Sequence, residues 1–152
     1  MNVRAAVLAG IVAGIVSTLA QLALWASFTD ALPGILWRDT RLAAAIVLGR
    51  AALRDSPAID ATRLVTAGAV HFALSIVYAF VLARLVAGRA ADVAIGIGIA
   101  FGVALYALNM LGFTLIFPWF AVARDWITAA AHIVFGVSAV VAYRTAARGD
   151  GR

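Results

Sequence analysis

Apolar and polar positions divide the chain into four long apolar runs joined by shorter polar segments. The runs are Ala5 to Phe28, Leu64 to Ala87, Val93 to Phe117 and Trp126 to Tyr143. At about 1.5 Å rise per residue, each is about long enough to cross a hydrocarbon core of about 30 Å. A soluble helical bundle alternates apolar stripes with charged faces; these runs contain a single charge, Arg84, close to an end. The pattern predicts an all-α fold, one integral membrane domain over residues 1–152 built as a four-transmembrane-helix bundle. The first run reads as an uncleaved helix. It is long for the apolar part of a signal peptide, and no A-x-A site follows it.

The polar segments carry their own signals. Asp30 to Arg63 is the long one. Pro33-Gly34 marks a turn, and residues 37–54 read as a short interfacial or re-entrant segment, too short to span. Ser56-Pro57 should end that segment, and Asp60 can cap the next helix. Arg84, Arg89 and Asp92 frame a tight turn, Pro118 to Asp125 is a short link, and Arg144 to Arg152 reads as a frayed polar tail.

The second and fourth runs resemble each other. Gly68, His71, Ser75 and Tyr78 fall on one helix face, as do Thr128, His132, Gly136, Ala139 and Tyr143. The first and third runs also correspond. Gly10-x-x-x-Gly14 is followed seven residues later by Gln21, and Gly98-x-x-x-Gly102 seven residues later by Asn109. Small residues four apart let membrane helices approach closely. The chain therefore reads as two like hairpins in tandem, each an amide helix followed by a histidine helix. An even number of spans per repeat makes the halves parallel.

Depth follows from counting. Gln21, His71, Asn109 and His132 each lie six to eight residues from the same end of their runs. That places all four about 9–12 Å below one surface, on the side of the long loop. Polar groups at membrane depth face protein or water and not lipid. The bland reading of this layer is interhelical hydrogen bonding. The functional readings are proton or small-polar-solute handling, since histidine titrates near neutrality, and bis-histidine haem ligation. Diagonal helices in such a bundle stand about 11–14 Å apart when neighbours are 8–10 Å apart. That gap suits a haem b between axial histidines, with Gly68 and Gly136 leaving room for the ring. It does not suit one zinc ion bound by both histidines, so no resident metal is expected.

Composition narrows the classes further. The chain has 152 residues, 65% of them hydrophobic, and no cysteine, which removes disulfides and thiolate metal sites. Mean hydropathy is +1.04 and the isoelectric point about 11.1. All basic residues are arginine and all acidic ones aspartate. The arginines flank the apolar runs instead of clustering on one element, so the partner they imply is the lipid bilayer and not nucleic acid. They divide equally between the two sides, which leaves the positive-inside rule tied. Both termini are assigned to the cytoplasm. Trp25, Trp37, Trp119 and Trp126 all fall on the loop side and predict an aromatic belt there. Tyr78 reads as core and Tyr143 as an interface anchor. Arg38-Asp39 and Arg124-Asp125 read as headgroup-level, helix-start residues.

The stretch His71-Phe72-Ala73-Leu74-Ser75-Ile76-Val77-Tyr78-Ala79, with Asn109, Phe117-Pro118 and His132-Ile133-Val134-Phe135-Gly136, resembles the YagU family of bacterial inner-membrane proteins. The match is best over residues 64 to 144. Gly10 to Gln21 and Trp37-Arg38-Asp39 match more loosely. In this chain the glycine follows His132 instead of preceding it. The resemblance implies a multi-pass inner-membrane location and a contribution to acid tolerance.

No nucleophile–base constellation, phosphate loop or carboxylate pair is present in the sequence, so no enzymatic activity is expected. The expectation is a small inner-membrane protein linked to acid or envelope stress, passing protons or a small polar solute through the Gln21/His71/Asn109/His132 layer. Ser75, Tyr78, Gly68 and Gly136 would support that layer. The alternatives are a haem-binding cytochrome-like module, and a structural accessory subunit of a homo-oligomer or larger membrane complex that packs through its GxxxG faces.

Overall fold

The computed structural model describes residues 1–54 and 60–149, and every regular element among them is helical. Four helices are long and apolar enough to cross a membrane. Helix α1 is Val3–Phe28, α3 is Ala61–Val86 and α5 is Trp126–Gly149. Helix α4 covers Ala91–Ala107 and continues through a π turn, Leu108–Gly112, and a 3-10 turn, Phe113–Leu115. Helix α2, Gly34–Leu48, lies in the long loop. The chain is an all-α, four-helix bundle.

Helix starts follow local capping chemistry. The Asn2 side chain accepts from the Ala5 amide at 3.0 Å. Asp60 accepts from the amides of Thr62 and Arg63, as its place before an apolar run predicts. Asp125 accepts from the Thr128 amide at 2.7 Å. It is thus the cap of α5, a more specific role than a headgroup-level charge.

Several expected boundaries move. Helix α2 starts at Gly34 and stops before Gly49, whose φ of +74° is the left-handed conformation glycine permits. Residues 50–53 then form a separate 3-10 turn, so the expected 37–54 segment is two elements. Ser56-Pro57 lies outside the described residues. The expected frayed tail is largely helix: α5 runs to Gly149, and Arg144 donates to the Arg89 carbonyl at 2.8 Å, tying it to the α3–α4 turn. Tyr143 is buried, not an interface anchor, and its hydroxyl accepts from the Asn2 amide at 3.3 Å.

The glycines of the odd helices sit where the repeat puts them. A Cβ on Gly10 would lie 2.6 Å from the Ile76 Cα, and one on Gly14 would lie 3.0 Å from the Ser75 hydroxyl and 3.1 Å from His71 Nε2. In the second hairpin, Gly98 faces the Gly136 carbonyl, and a Cβ on Gly102 would lie 2.5 Å from the His132 carbonyl. Each GxxxG thus meets the histidine helix of its own hairpin at the same two positions. These faces are consumed inside the bundle, which corrects the reading that they dock a partner.

The halves are not equally closed. Helix α1 packs extensively on both α3 and α5, whereas α4 packs on α5 and only loosely on α3. The reason lies in the side chains. Helix α1 buries small residues on two faces, with Ala5, Ala9 and Ala13 alongside Ala6, Gly10 and Gly14. Helix α4 buries one stripe, Ala94, Gly98, Gly102 and Leu105. The end of the bundle near the termini is filled, with Leu82, Val86 and Val140 almost fully buried.

The loop side is capped by α2 and the 3-10 turn Pro118–Ala123. The Trp119 indole donates to the Leu42 carbonyl at 3.2 Å, and Leu42 packs with Met110 and Ala123. Trp119 is half-buried and Trp25 fully buried, so only part of the expected belt forms: Trp126 is exposed and meets Phe28 edge-on.

Candidate functional site

The lower half of the bundle holds a polar layer. Gln21 on α1, His71 on α3, Asn109 on the bent part of α4 and His132 on α5 line one cavity of about 160 Å³. All four sequence-predicted layer residues therefore come together. Ser75 and Tyr78 line the same cavity, along with Thr18. Gly68 does not; it lines a neighbouring crevice. Gly136 leaves no room for a ring, because its open side is filled by the Gly98 backbone.

The hydrogen bonds cross between hairpins. The Gln21 amide donates to the Thr128 hydroxyl at 3.3 Å. The Tyr78 hydroxyl donates to Asn109 Oδ1 at 2.7 Å, which makes Tyr78 a layer residue and not simply core. That bond orients the amide, so Asn109 Nδ2 is the group facing His132 Nε2 at 3.1 Å. His132 Nδ1 lies 2.7 Å from the Thr128 carbonyl, which can only accept. His132 is therefore the neutral tautomer with its proton on Nδ1.

His71 is set the other way round. Its Nε2 lies 3.3 Å from the Gly14 carbonyl and 3.4 Å from the Thr18 hydroxyl. The carbonyl again only accepts, so the Nε2 of His71 carries the proton. The two histidines occupy equivalent places in the repeat but turn opposite nitrogens to a carbonyl, Nε2 in His71 and Nδ1 in His132.

Asn109 stands in the π turn that follows the regular part of α4. A π turn leaves backbone groups out of helical register, and Arg124 compensates. Its Nε donates to the Met110 carbonyl at 2.6 Å, and its NH2 to the Thr114 hydroxyl. Arg124 is thus a clamp on the bent helix, not a headgroup-level residue. Arg38 pairs with Asp39 at 2.7 Å, and its NH1 donates to the Val122 carbonyl, joining α2 to the second link. Burial pushes the Asp39 carboxyl above its ordinary value; Arg38 offsets part of this, and nearby Asp125 adds to it.

A second cavity, about 360 Å³, lies between α1, α2 and α3. It shares Thr18, Gln21 and His71 with the central cavity and reaches Asp39 and Thr40 on α2. Thr18 was not singled out from the sequence. Its signal was available: it stands one turn after Gly14, as Tyr106 stands one turn after Gly102, and each meets its hairpin's histidine.

Among the described residues, no three histidine, aspartate or glutamate side chains gather as a metal site would require. No family model, no curated protein and no solved structure matches this chain.

Proposed function

We propose that this is a multi-pass bacterial inner-membrane protein that takes up protons or a small polar solute at the Gln21/His71/Asn109/His132 layer, in the service of acid or envelope stress. One observation carries the reading: two histidines and two amides from the four helices long enough to span a membrane line a single cavity. Buried ionisable groups at membrane depth are expensive to keep and mark ion or solute paths. The stress role and the inner membrane rest on the resemblance to YagU-like proteins. In this reading both termini lie in the cytoplasm, and the α2 side faces the periplasm.

The haem alternative has less support. Both histidine Nε2 atoms are already engaged by protein groups, and about 160 Å³ is below the 300–1,000 Å³ of ordinary ligand pockets. The layer does not fit a haem, and protein purified with haem supplied should lack a Soret band.

The test is entry of protons, read with an internal pH dye, and of small polar solutes, read by light scattering, into proteoliposomes for wild type and for a variant carrying His71→Gln and His132→Gln. The variant should lose whichever entry the wild type shows while still inserting. A well-inserted double variant with wild-type flux and wild-type acid survival would overturn the reading.

A further inference from the structure

The central cavity mixes apolar walls, Leu74, Leu105, Ala131 and Phe135, with uncharged polar groups. Those are hydroxyls from Ser17, Thr18 and Tyr78, amides from Gln21 and Asn109, and two imidazoles; among the described residues no arginine or aspartate lines it. His132 is held neutral by its two bonds, to the Asn109 amide and the Thr128 carbonyl. An ion placed here would lose its hydration and find no counter-charge, which is the costly case in a low-dielectric interior. A neutral molecule able both to donate and to accept would find partners of both kinds. Size sets a second limit. About 160 Å³ is roughly five times the ~30 Å³ share of one liquid water.

Access points the same way. The crevice between α1, α2 and α3 shares Thr18, Gln21 and His71 with the central cavity, so these three side chains stand between the two spaces. Its rim includes the exposed apolar side chains Ile15, Leu19 and Leu64. Among the described residues Asp39 is the only carboxylate on its wall, and it is already paired with Arg38. The opposite end of the bundle is filled by Leu82, Val86 and Val140 in this conformation, so passage to that side requires those side chains to part.

We propose that the cargo of this chamber is an uncharged, hydrogen-bonding molecule of a few heavy atoms, of the size and chemistry of a small amide or urea, admitted through the α1/α2/α3 crevice. This rests on the reading of the layer as a solute or proton site and narrows it to a substrate class.

Urea, guanidinium and nitrate provide the test, because all three are planar, with four heavy atoms, and differ mainly in charge. Uptake of each into proteoliposomes is followed by stopped-flow light scattering against protein-free vesicles. Urea should equilibrate several-fold faster with protein present, and guanidinium and nitrate should not. Thr18→Val, which keeps the shape and removes a hydroxyl, should reduce the urea rate at least twofold; Ala131→Leu, which fills the chamber, should abolish it. Faster entry of guanidinium or nitrate would overturn the proposal, as would urea rates equal to those of protein-free vesicles. If proton flux persists in that last case, this inference alone fails; if proton flux is also absent, the reading beneath it fails too.

Discussion

Gly14 lies directly against His71, so close that a Cβ on the glycine would stand 3.1 Å from the imidazole Nε2. Gly102 stands in the same relation to His132, except that it meets the backbone carbonyl at 2.5 Å. The absent side chain sets how near each amide helix comes to its histidine helix. That distance brings Gln21 and Asn109, seven residues further on, to the level of the imidazoles.

Glycine replacements should therefore separate sharply by position. At Gly102 a methyl would press on the His132 carbonyl and the Ile133 Cα, both backbone. Gly102→Ala should cost about 1–3 kcal/mol, the usual penalty of overpacking. At Gly68 a methyl would meet nothing within 4 Å. Gly68→Ala should be neutral or stabilising by up to about 1 kcal/mol through helix propensity. Thermal unfolding in detergent, with both variants side by side, checks the order.

The bond between Tyr78 and Asn109 should be measurable as a coupling. Single variants Tyr78→Phe and Asn109→Ala, and their combination, form a double-mutant cycle. Side-chain bonds between membrane helices average about 0.6 kcal/mol and reach about 1.7. The 2.7 Å separation predicts a value in the upper half of that range. Additive single effects would show that the two side chains do not interact.

Arg124 should matter for the shape of α4. Without it, the Met110 carbonyl keeps only the Thr114 hydroxyl as a donor, and the Thr114 oxygen loses the guanidinium that donates to it. Arg124→Leu should cost about 0.5–1.5 kcal/mol, as for a lost hydrogen bond whose acceptor keeps another partner. Hydrogen exchange should rise over residues 108–115 and little elsewhere. Uniform exchange along α4 would contradict this role.

Asp39 gives a pH dependence with a definite sign. Its carboxyl is raised above the ordinary 3.8, first by burial, with Arg38 offsetting part and Asp125 adding to it. The folded state therefore holds the proton more tightly than the unfolded chain. That contribution is fully present below the unfolded value and is lost as pH rises through the folded one. Wild type should lose stability across this acidic window. Asp39→Asn should not, and the two melting curves plotted against pH should diverge as pH rises from below 3.8.

Much of this architecture is legible in the sequence because membrane spans and period-3.6 faces are strong signals. Gly10, Gly14, Gly98 and Gly102 declared the close contacts, and counting from the run ends placed Gln21, His71, Asn109 and His132 at one depth. The bend in α4 was not legible. Leu108–Gly112 contains no proline, and the clamp that steadies it, Arg124, comes from a different segment. The tryptophans misled for a related reason: position near a span end says nothing about direction, and Trp25 and Trp119 turn inward. The unequal closure of the two halves was not legible, because α4 carries a second stripe of small residues, Gly96, Ala100 and Ala104, that it leaves exposed.

The claim on which the rest depends is that the two hairpins close on each other at the polar layer, and the Gln21–Thr128 bond between them reports it. The chain has no cysteine, so Gln21→Cys with Thr128→Cys can be introduced cleanly. In membranes, a short bis-thiosulfonate reagent should link that pair within the monomer in high yield. A control pair, Leu19→Cys with Leu115→Cys at two exposed positions, should stay unlinked. Equal linking of both pairs, or none at positions 21 and 128 when each thiol reacts singly, would contradict the account.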